Sequence, residues 1–514
     1  GSTVFSFTRR TLGNRQRFAG GWRHRKYQPH NLSSLRRQKN KTHMRLSLKS
    51  YFTAFLCIAA AIALALSAIH SIKKLAFIHS LAQASTTPQL YTDFVFYINA
   101  GQRYQTTGQL YERPAEGESI ASRYYPMAPI FKFPPPFQLQ ILPFIKHWTP
   151  ETLKWLRIAM ILGYFFTCIM LVVQCCAIMQ QQKSSRIKIF LFLAFSGIIA
   201  LLNPAYWDCI LNTNYEIPIF LLLTISFFLL DKHTKLSAAI ISYLALTKIY
   251  PIFMASTLFM APRKKQFTAS FIVSALLILM FTLLAFGLQE NIYYATRILP
   301  TLLSEKVAPM QFSLSFGSEL FRLTQNLEFS RIAFQILRLT LLAISFYALI
   351  KCQHAQQKMN FFALLMILML ICMPNYWISY WIFLFPAFCV ALQRVITQPK
   401  IAEVSLLFLC ALVTIIESQS WMHFHAPAWL SDTARLDAIG KQIISAYQQG
   451  DAFLACRIFI WHYPITTTLY LLEQMKLLVP FVLWLFVIKE IVRTAKSATH
   501  TTLNLPHQNQ SDKV

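Results

Sequence analysis

The chain has 514 residues, 55% of them hydrophobic and only 13% charged. That balance, with repeated apolar runs of about 20 residues, excludes an ordinary soluble domain and points to membrane spans. The net charge is +28, and residues 1–43 hold 11 Lys and Arg with no Asp or Glu. Residues 1–50 therefore read as a basic cytoplasmic arm attracted to anionic headgroups. Nucleic-acid binding ranks below that reading, because nothing in the arm resembles a folded reader. The opening Gly-Ser reads as a tag scar, and Met44 is a candidate natural start. From Met44 onward, RLSLKS and the apolar run ending in ALSA also resemble a signal peptide. The many later spans favour an uncleaved first helix.

Apolar runs predict spans near 51–70, 152–178, 188–204, 215–231, 236–247, 250–261, 267–287, 331–350, 360–373, 376–394, 401–417 and 474–489. The 236–261 stretch divides in two at Lys248-Ile-Tyr-Pro251, because Pro251 removes a ladder hydrogen bond and a lysine seeks an interface. Residues 136–148 are short and proline-containing, and read as an interfacial or re-entrant element. With the basic arm inside, the loops QQKSSRIK, DKHTK, PRKKQ and QRVITQPK, the loop 351–358 and the KEIVRTAK tail all fall in the cytoplasm. This follows the positive-inside rule. Asp93, the 203–216 stretch, Lys248, 288–330, 374–380 and 418–473 then share the non-cytoplasmic face.

The ten cysteines form no disulfide framework. Most sit in apolar runs as small hydrophobes, and Cys209 and Cys456, placed in external loops, read as two unpaired thiols ahead of the alternative, a bridge between them. No Cys/His spacing suits zinc. No glycine-rich phosphate loop occurs in a cytoplasmic segment, so neither ATP nor a nucleotide sugar is indicated.

Several residues are candidates for chemistry. Asp93 is either a general base, partly desolvated at the membrane surface, or a helix N-cap, and the residue alone does not separate the two. In SRYYPMAPIFKFPPPFQLQILPF, Arg123 and Lys132 suit a phosphate headgroup, while the three prolines equally signal the start of a helix. Asp208, Asn214 and Glu216 are sugar hydrogen-bonders or helix caps. Lys248 is costly inside an apolar run, and phosphate binding is favoured over snorkelling. Trp377 and Tyr380 form an aromatic belt or a stacking platform.

Taken in order, these pieces resemble the polyprenyl-phosphate-dependent GT-C glycosyltransferases, and most closely glycosyltransferase family 87. The matching pieces are Asp93-Phe94 with Tyr97, Ala100, Gly108 and Tyr111; Phe133-Pro134-Pro135; Asn203-Pro204 with Asn214 and Glu216; Leu246-Thr247-Lys248; Ser313-Leu314 with Gly317 and Arg322; and Pro374 with Trp377. Departures occur at Thr213-Asn214-Tyr215-Glu216, at Gln311-Phe312-Ser313-Leu314 and at Ser379. The resemblance implies an all-α polytopic membrane protein of GT-C fold, with about twelve transmembrane helices and amphipathic helices in the first external loop. It implies Asp93 as general base and a polyprenyl-phosphate sugar as donor. Lys248, with Arg123 and Lys132, would contact the donor phosphate. Tyr97, Asn214, Glu216, Ser313, Trp377 and Tyr380 would surround sugar or acceptor. No metal or other cofactor is expected. The expected partners are the donor, a glycolipid or glycan acceptor and the bilayer, with no nucleic acid.

The expected organisation is the basic arm 1–50, a catalytic core 51–394, C-terminal helices 395–490 with the external loop 418–473, and a cytoplasmic tail 491–514. The expected location is a cytoplasmic (inner) membrane, with both termini inside and the site outside. Mannose is the sugar the family favours, and arabinose stays open. Two other classes stay alive. A lipid-linked glycan transporter would need a polar path through the spans, which the acidic residues avoid. A glycan ligase or polymerase would use His423, His425, Arg435, Arg457 and His462 of the 418–473 loop.

Overall fold

Apolar stretches bounded by prolines and polar caps become helices, and no strand occurs among the described residues. The computed structural model describes residues 51, 53–73, 93–116, 120, 131–145, 149–303, 316–317, 320, 324, 326–351, 357–373, 378–415 and 475–503. The arm 1–50, Arg123, Ser313, Trp377, Cys456 and the loop 418–473 lie outside these. Two units are distinguished, Gly1–Ile58 and Ala59–Val514. The described part of the first is the opening of helix α1 (Thr53–Lys73), and everything below concerns the second.

Helices follow as α2 (Asp93–Thr107), α3 (Pro135–Ile145), α4 (Pro150–Gln181), α5 (Arg186–Leu202), α6 (Pro204–Asn212), α7 (Glu216–Leu229) and α8 (Thr234–Thr247). A 3-10 helix, Tyr250–Phe259, precedes α9 (Lys264–Tyr293), which passes through a π turn into α10 (Leu299–Leu303). Then come α11 (Leu327–Lys351), α12 (Lys358–Ile371), a 3-10 turn (Ile378–Leu384), α13 (Phe385–Thr397), α14 (Ile401–Ile415) and α15 (Leu478–Leu503). Local chemistry fixes the starts. Thr149 caps α4 by accepting from the Thr152 N–H at 3.2 Å, with Pro150 in the first turn. Asn203 caps α6 in the same way, accepting from the Ala205 N–H at 3.0 Å ahead of Pro204.

Among the described residues, six helices are long and apolar enough to cross a membrane, which makes this a multi-pass membrane protein. Five further apolar helices have 10–17 residues. At a rise of ~1.5 Å per residue, the 14-residue ones cover about 21 Å, short of a ~30 Å hydrocarbon core. Twelve full crossings are therefore more than these lengths supply. The outer surface is apolar, as lipid requires: Leu276, Phe281 and Leu284 of α9 are exposed. By contrast, α12 is buried on every side from Phe361 to Ile371, packing against α13 and α15.

Three expectations are corrected. Residues 204–212, read as an external loop, are helix α6, with Asp208 inside it and Cys209 buried. Residues 288–303, read as loop, continue α9 beyond a kink at Gly287, whose φ of +75° suits glycine. The tail also continues as helix to Leu503. The break expected near Pro251 is present: Lys248 is extended (φ −141°, ψ 138°) and ends α8, and the helix that follows is 3-10 rather than α.

Charge divides between helix ends. Lys188, near the start of α5, donates to the Thr397 carbonyl at the end of α13 at 3.0 Å, so these helices run antiparallel. At that same end Arg394 binds Glu403 and Glu490, at 3.0 and 2.9 Å, joining α13, α14 and α15. Asp231 pairs with Lys358 beyond the end of α7. The opposite ends carry Asn203, Glu216, Lys248 and the Ile378–Leu384 turn.

Candidate active site

The site is assembled where α2, the turn after α6, the start of α7, the end of α8 and the Ile378–Leu384 turn converge. Asp93 opens α2. Its Oδ2 accepts from Asn214 Nδ2 at 2.9 Å, and no described residue donates to Oδ1. Asn214 stands on a turn made by Thr213, a non-glycine residue with φ +51°. That conformation is uncommon for a β-branched residue and has to be held from outside. Arg157 of α4 does so, donating to the Leu211 carbonyl at 2.9 Å and to Thr213 Oγ1 at 3.3 Å. The Asn214 amide is fixed further by the Glu216 N–H, which donates to its Oδ1 at 3.3 Å, and by Ser379 Oγ at 3.5 Å.

Behind this contact lies a buried ion pair. Lys248 Nζ binds Glu216 Oε1, and Tyr250 OH donates to Glu216 Oε2. The Lys248 side chain is 4% exposed and that of Glu216 is fully buried. Three rings enclose the ammonium, with centroids 4.9 Å (Phe133), 5.5 Å (Tyr380) and 5.7 Å (Tyr250) away. Lys248, expected to meet a donor phosphate, thus meets Glu216. Glu216, expected to meet sugar or acceptor, meets Lys248 and Tyr250. The reason is burial: a lone ammonium in an aromatic enclosure is too costly without a carboxylate.

Aromatic residues form the floor. Tyr97 of α2 is buried and meets Phe133 and Phe137 edge-on, at centroid distances of 5.2 and 4.7 Å. Its hydroxyl has no partner among the described residues. Gln138 of α3 donates to the Tyr97 carbonyl at 2.9 Å, tying α3 to α2. Gln140 Oε1 accepts from both Tyr215 and Tyr243, while its Nε2 is buried without a partner. The close approach of α2 and α3 needs Gly101, since a Cβ there would lie 2.0 Å from Ile145 Cδ1.

Burial raises the Asp93 carboxyl to about 6. The Lys248 charge opposes that rise, Glu216 adds to it and Lys132 opposes it. Burial lowers the Lys132 ammonium to about 8, against the pull of Asp93. Burial also pushes the Tyr97 phenol well up, so it stays protonated. A carboxylate near 6 is ionised at neutral pH and still basic enough to take a proton. Nearby in α6, Asp208 is held by Asn212 at 3.0 Å and feels the Asp93 charge.

Of the expected site residues, Asp93, Tyr97, Lys132, Asn214, Glu216, Lys248 and Tyr380 are described, and all belong to this one region. Arg123, Ser313 and Trp377 fall outside the described residues. Sequence reasoning missed Tyr250 and Gln140, and took Ser379 only as a departure from the family pattern. Tyr250 had a usable signal, because it lies beside Lys248 in KIYP. The roles of the other two come only from tertiary contacts.

No curated protein matches the chain, and no solved structure matches it. Residues 131–374 match the family model of glycosyltransferase family 87, so the resemblance carried by scattered sequence pieces holds over this stretch.

Proposed function

We propose that the protein transfers a sugar from a polyprenyl-phosphate carrier to a lipid-linked or glycan acceptor, with Asp93 as general base. The observation that carries this reading is the half-buried Asp93 carboxylate, held at one oxygen by Asn214 at 2.9 Å and given no donor at the other by any described residue. The match to glycosyltransferase family 87 supports the reaction class. A membrane-embedded location favours a lipid-linked donor. Charge segregation between helix ends favours a site on the non-cytoplasmic face of an inner membrane, because the basic loops define the other side. Mannose is the favoured sugar.

The acceptor hydroxyl approaches Asp93 Oδ1. Its proton passes to that oxygen as the acceptor oxygen bonds to the anomeric carbon. The bond from that carbon to the phosphate oxygen breaks, and polyprenyl phosphate leaves with the electron pair. Attack opposite the leaving group inverts the anomeric centre. Lys132 and the positive field of Lys248 stabilise the charge that develops on the phosphate, and Arg123, outside the described residues, is the second cation assigned to it. This reading needs no metal ion.

The test is transfer from radiolabelled polyprenyl-phosphate mannose to a membrane lipid extract, by purified protein, with and without EDTA. Wild type should transfer in both conditions. Asp93→Asn should lose at least ~100-fold, the scale of general-base catalysis. An Asp93→Asn variant that folds and transfers at the wild-type rate removes Asp93 from this role. Loss of wild-type transfer in EDTA removes the metal-free reading.

A further inference from the structure

A lysine that only reached for an interface would not need Glu216. The pair sits immediately behind Asp93–Asn214, and Glu216 serves both neighbours. Its backbone N–H orients the Asn214 amide at 3.3 Å, while its carboxylate binds Lys248 and is itself held by Tyr250. Two side-chain donors to Glu216, Lys248 and Tyr250, come from the 248–250 break, so the carboxylate and the break lock one another. Asp93 makes no ion pair with Lys248, although Lys248 exerts the strongest charge effect upon it. The charged groups around Asp93 are Lys132 before α3, Asp208 on α6, Glu216 on α7 and Lys248 after α8. The neutral titratable neighbours are Tyr97, Cys209 and Tyr380. A bare ammonium inside this enclosure would turn to the nearest remaining carboxylate, which includes Asp93, and an ion-paired carboxylate is a weaker base toward the acceptor proton.

We propose that Glu216 is a positioning residue for the base: by holding the Lys248 ammonium against itself and Tyr250, it keeps Lys248 from closing an ion pair with Asp93. The proposal rests on the reading of Asp93 as general base. It makes the Glu216–Lys248 pair a device for leaving one Asp93 oxygen available, and places direct phosphate contact on Lys132.

The experiment compares wild type, Glu216→Gln, Lys248→Met and the double variant, as full chains in lipid nanodiscs. The readout is kcat/KM for transfer across pH ~5–9. Glu216→Gln should move the acidic limb down by about one pH unit and cut the rate up to ~10-fold, because Lys248 then pairs with Asp93 and weakens it as a base. Lys248→Met should move the limb up. The double variant, a neutral pair, should regain at least ~3-fold over Glu216→Gln and return its limb toward wild type. If Glu216→Gln does not fold, the double variant is compared with Lys248→Met alone, and its limb should lie lower. The proposal is overturned if neither comparison moves the limb, or if the double variant is no faster than Glu216→Gln. With wild type active and Asp93→Asn inactive, such a result sinks this inference alone. Absence of wild-type transfer, or transfer that ignores Asp93→Asn, sinks the functional reading with it.

Discussion

Asn214→Leu is the sharpest probe of how the site supports its carboxylate. Asn214 is buried, and its Nδ2 is the one described donor to Asp93, at 2.9 Å. Leucine is close in size, so the change deletes the amide with little change of volume. A hydrogen bond to a charged group contributes about 1.5–3 kcal/mol, and 1.36 kcal/mol corresponds to one pKa unit. The bond favours the ionised carboxylate, so removing it raises the Asp93 pKa. Starting from about 6, the acidic limb of kcat/KM should move to roughly 7–8. At pH 7 the ionised fraction then falls from about 90% to between about 50% and 10%, a loss of roughly two- to ninefold. Raising the pH should restore activity. Recovery is limited above about 8, where Lys132 loses its proton. Wild type should accordingly show a bell, rising through about 6 and falling through about 8. The assay is initial-rate transfer across pH, with a melting temperature measured in parallel. A rate loss of the same size at every pH, or an acidic limb that stays at the wild-type position, refutes the reasoning.

Three further outcomes follow from other contacts. Tyr97→Phe removes a buried hydroxyl that has no partner among the described residues. Melting temperature should hold or rise slightly, whereas transfer should fall ~10-fold if that hydroxyl meets the sugar; equal rates would assign Tyr97 to packing alone. Gly101→Ala puts a methyl 2.0 Å from Ile145 Cδ1 and 2.6 Å from Gln138 Nε2. It should cost about 1–3 kcal/mol, seen as a lower melting temperature, and displace Asp93 with α2. Arg394→Met removes the bridge between Glu403 and Glu490, which keep Lys489 and Arg493 as partners. A loss of about 1.5–3 kcal/mol is expected in thermal unfolding, with the specific activity of the folded fraction unchanged because this cluster lies at the other helix ends.

Local sequence signals made much of the fold legible. Apolar length marked the spans, and Pro251 marked the break after α8. The site was legible as a set of residues. Asp93, Asn214, Glu216, Lys248 and Tyr380 were each out of place in an apolar chain, and the structure gathers them. Their pairings were not legible. Lys248 read as a free cation because Glu216 precedes it by a whole helical hairpin, α7 and α8, and only the antiparallel packing of that hairpin joins their ends. Residues 204–212 were misread because their polar and aromatic composition suits a loop. As α6 they bury Tyr206 against Tyr164, at a centroid distance of 4.4 Å. The run beyond Gly287 was misread for the converse reason: Glu290, polar in sequence, is buried there by accepting from the Leu110 and Tyr111 N–H groups and pairing with Arg113.

The break between α8 and the 3-10 helix explains why a costly lysine can sit in an apolar run. A continuous α-helix through 236–261 would carry Lys248 with its backbone N–H and carbonyl satisfied and its side chain facing lipid or core. Extending the backbone at Lys248 and starting a 3-10 turn at Tyr250 places both side chains on Glu216 at once. The two donors satisfy both oxygens of one carboxylate, which is the condition for burying an ion pair without a large loss of stability. The same carboxylate stands two residues after Asn214, on a turn that Arg157 holds in a left-handed conformation. Proline at 251, the buried pair and the strained turn at Thr213 therefore act on one object, the Asp93 carboxylate. Each is unfavourable alone, and together they fix its hydrogen-bond donor and the charge beside it.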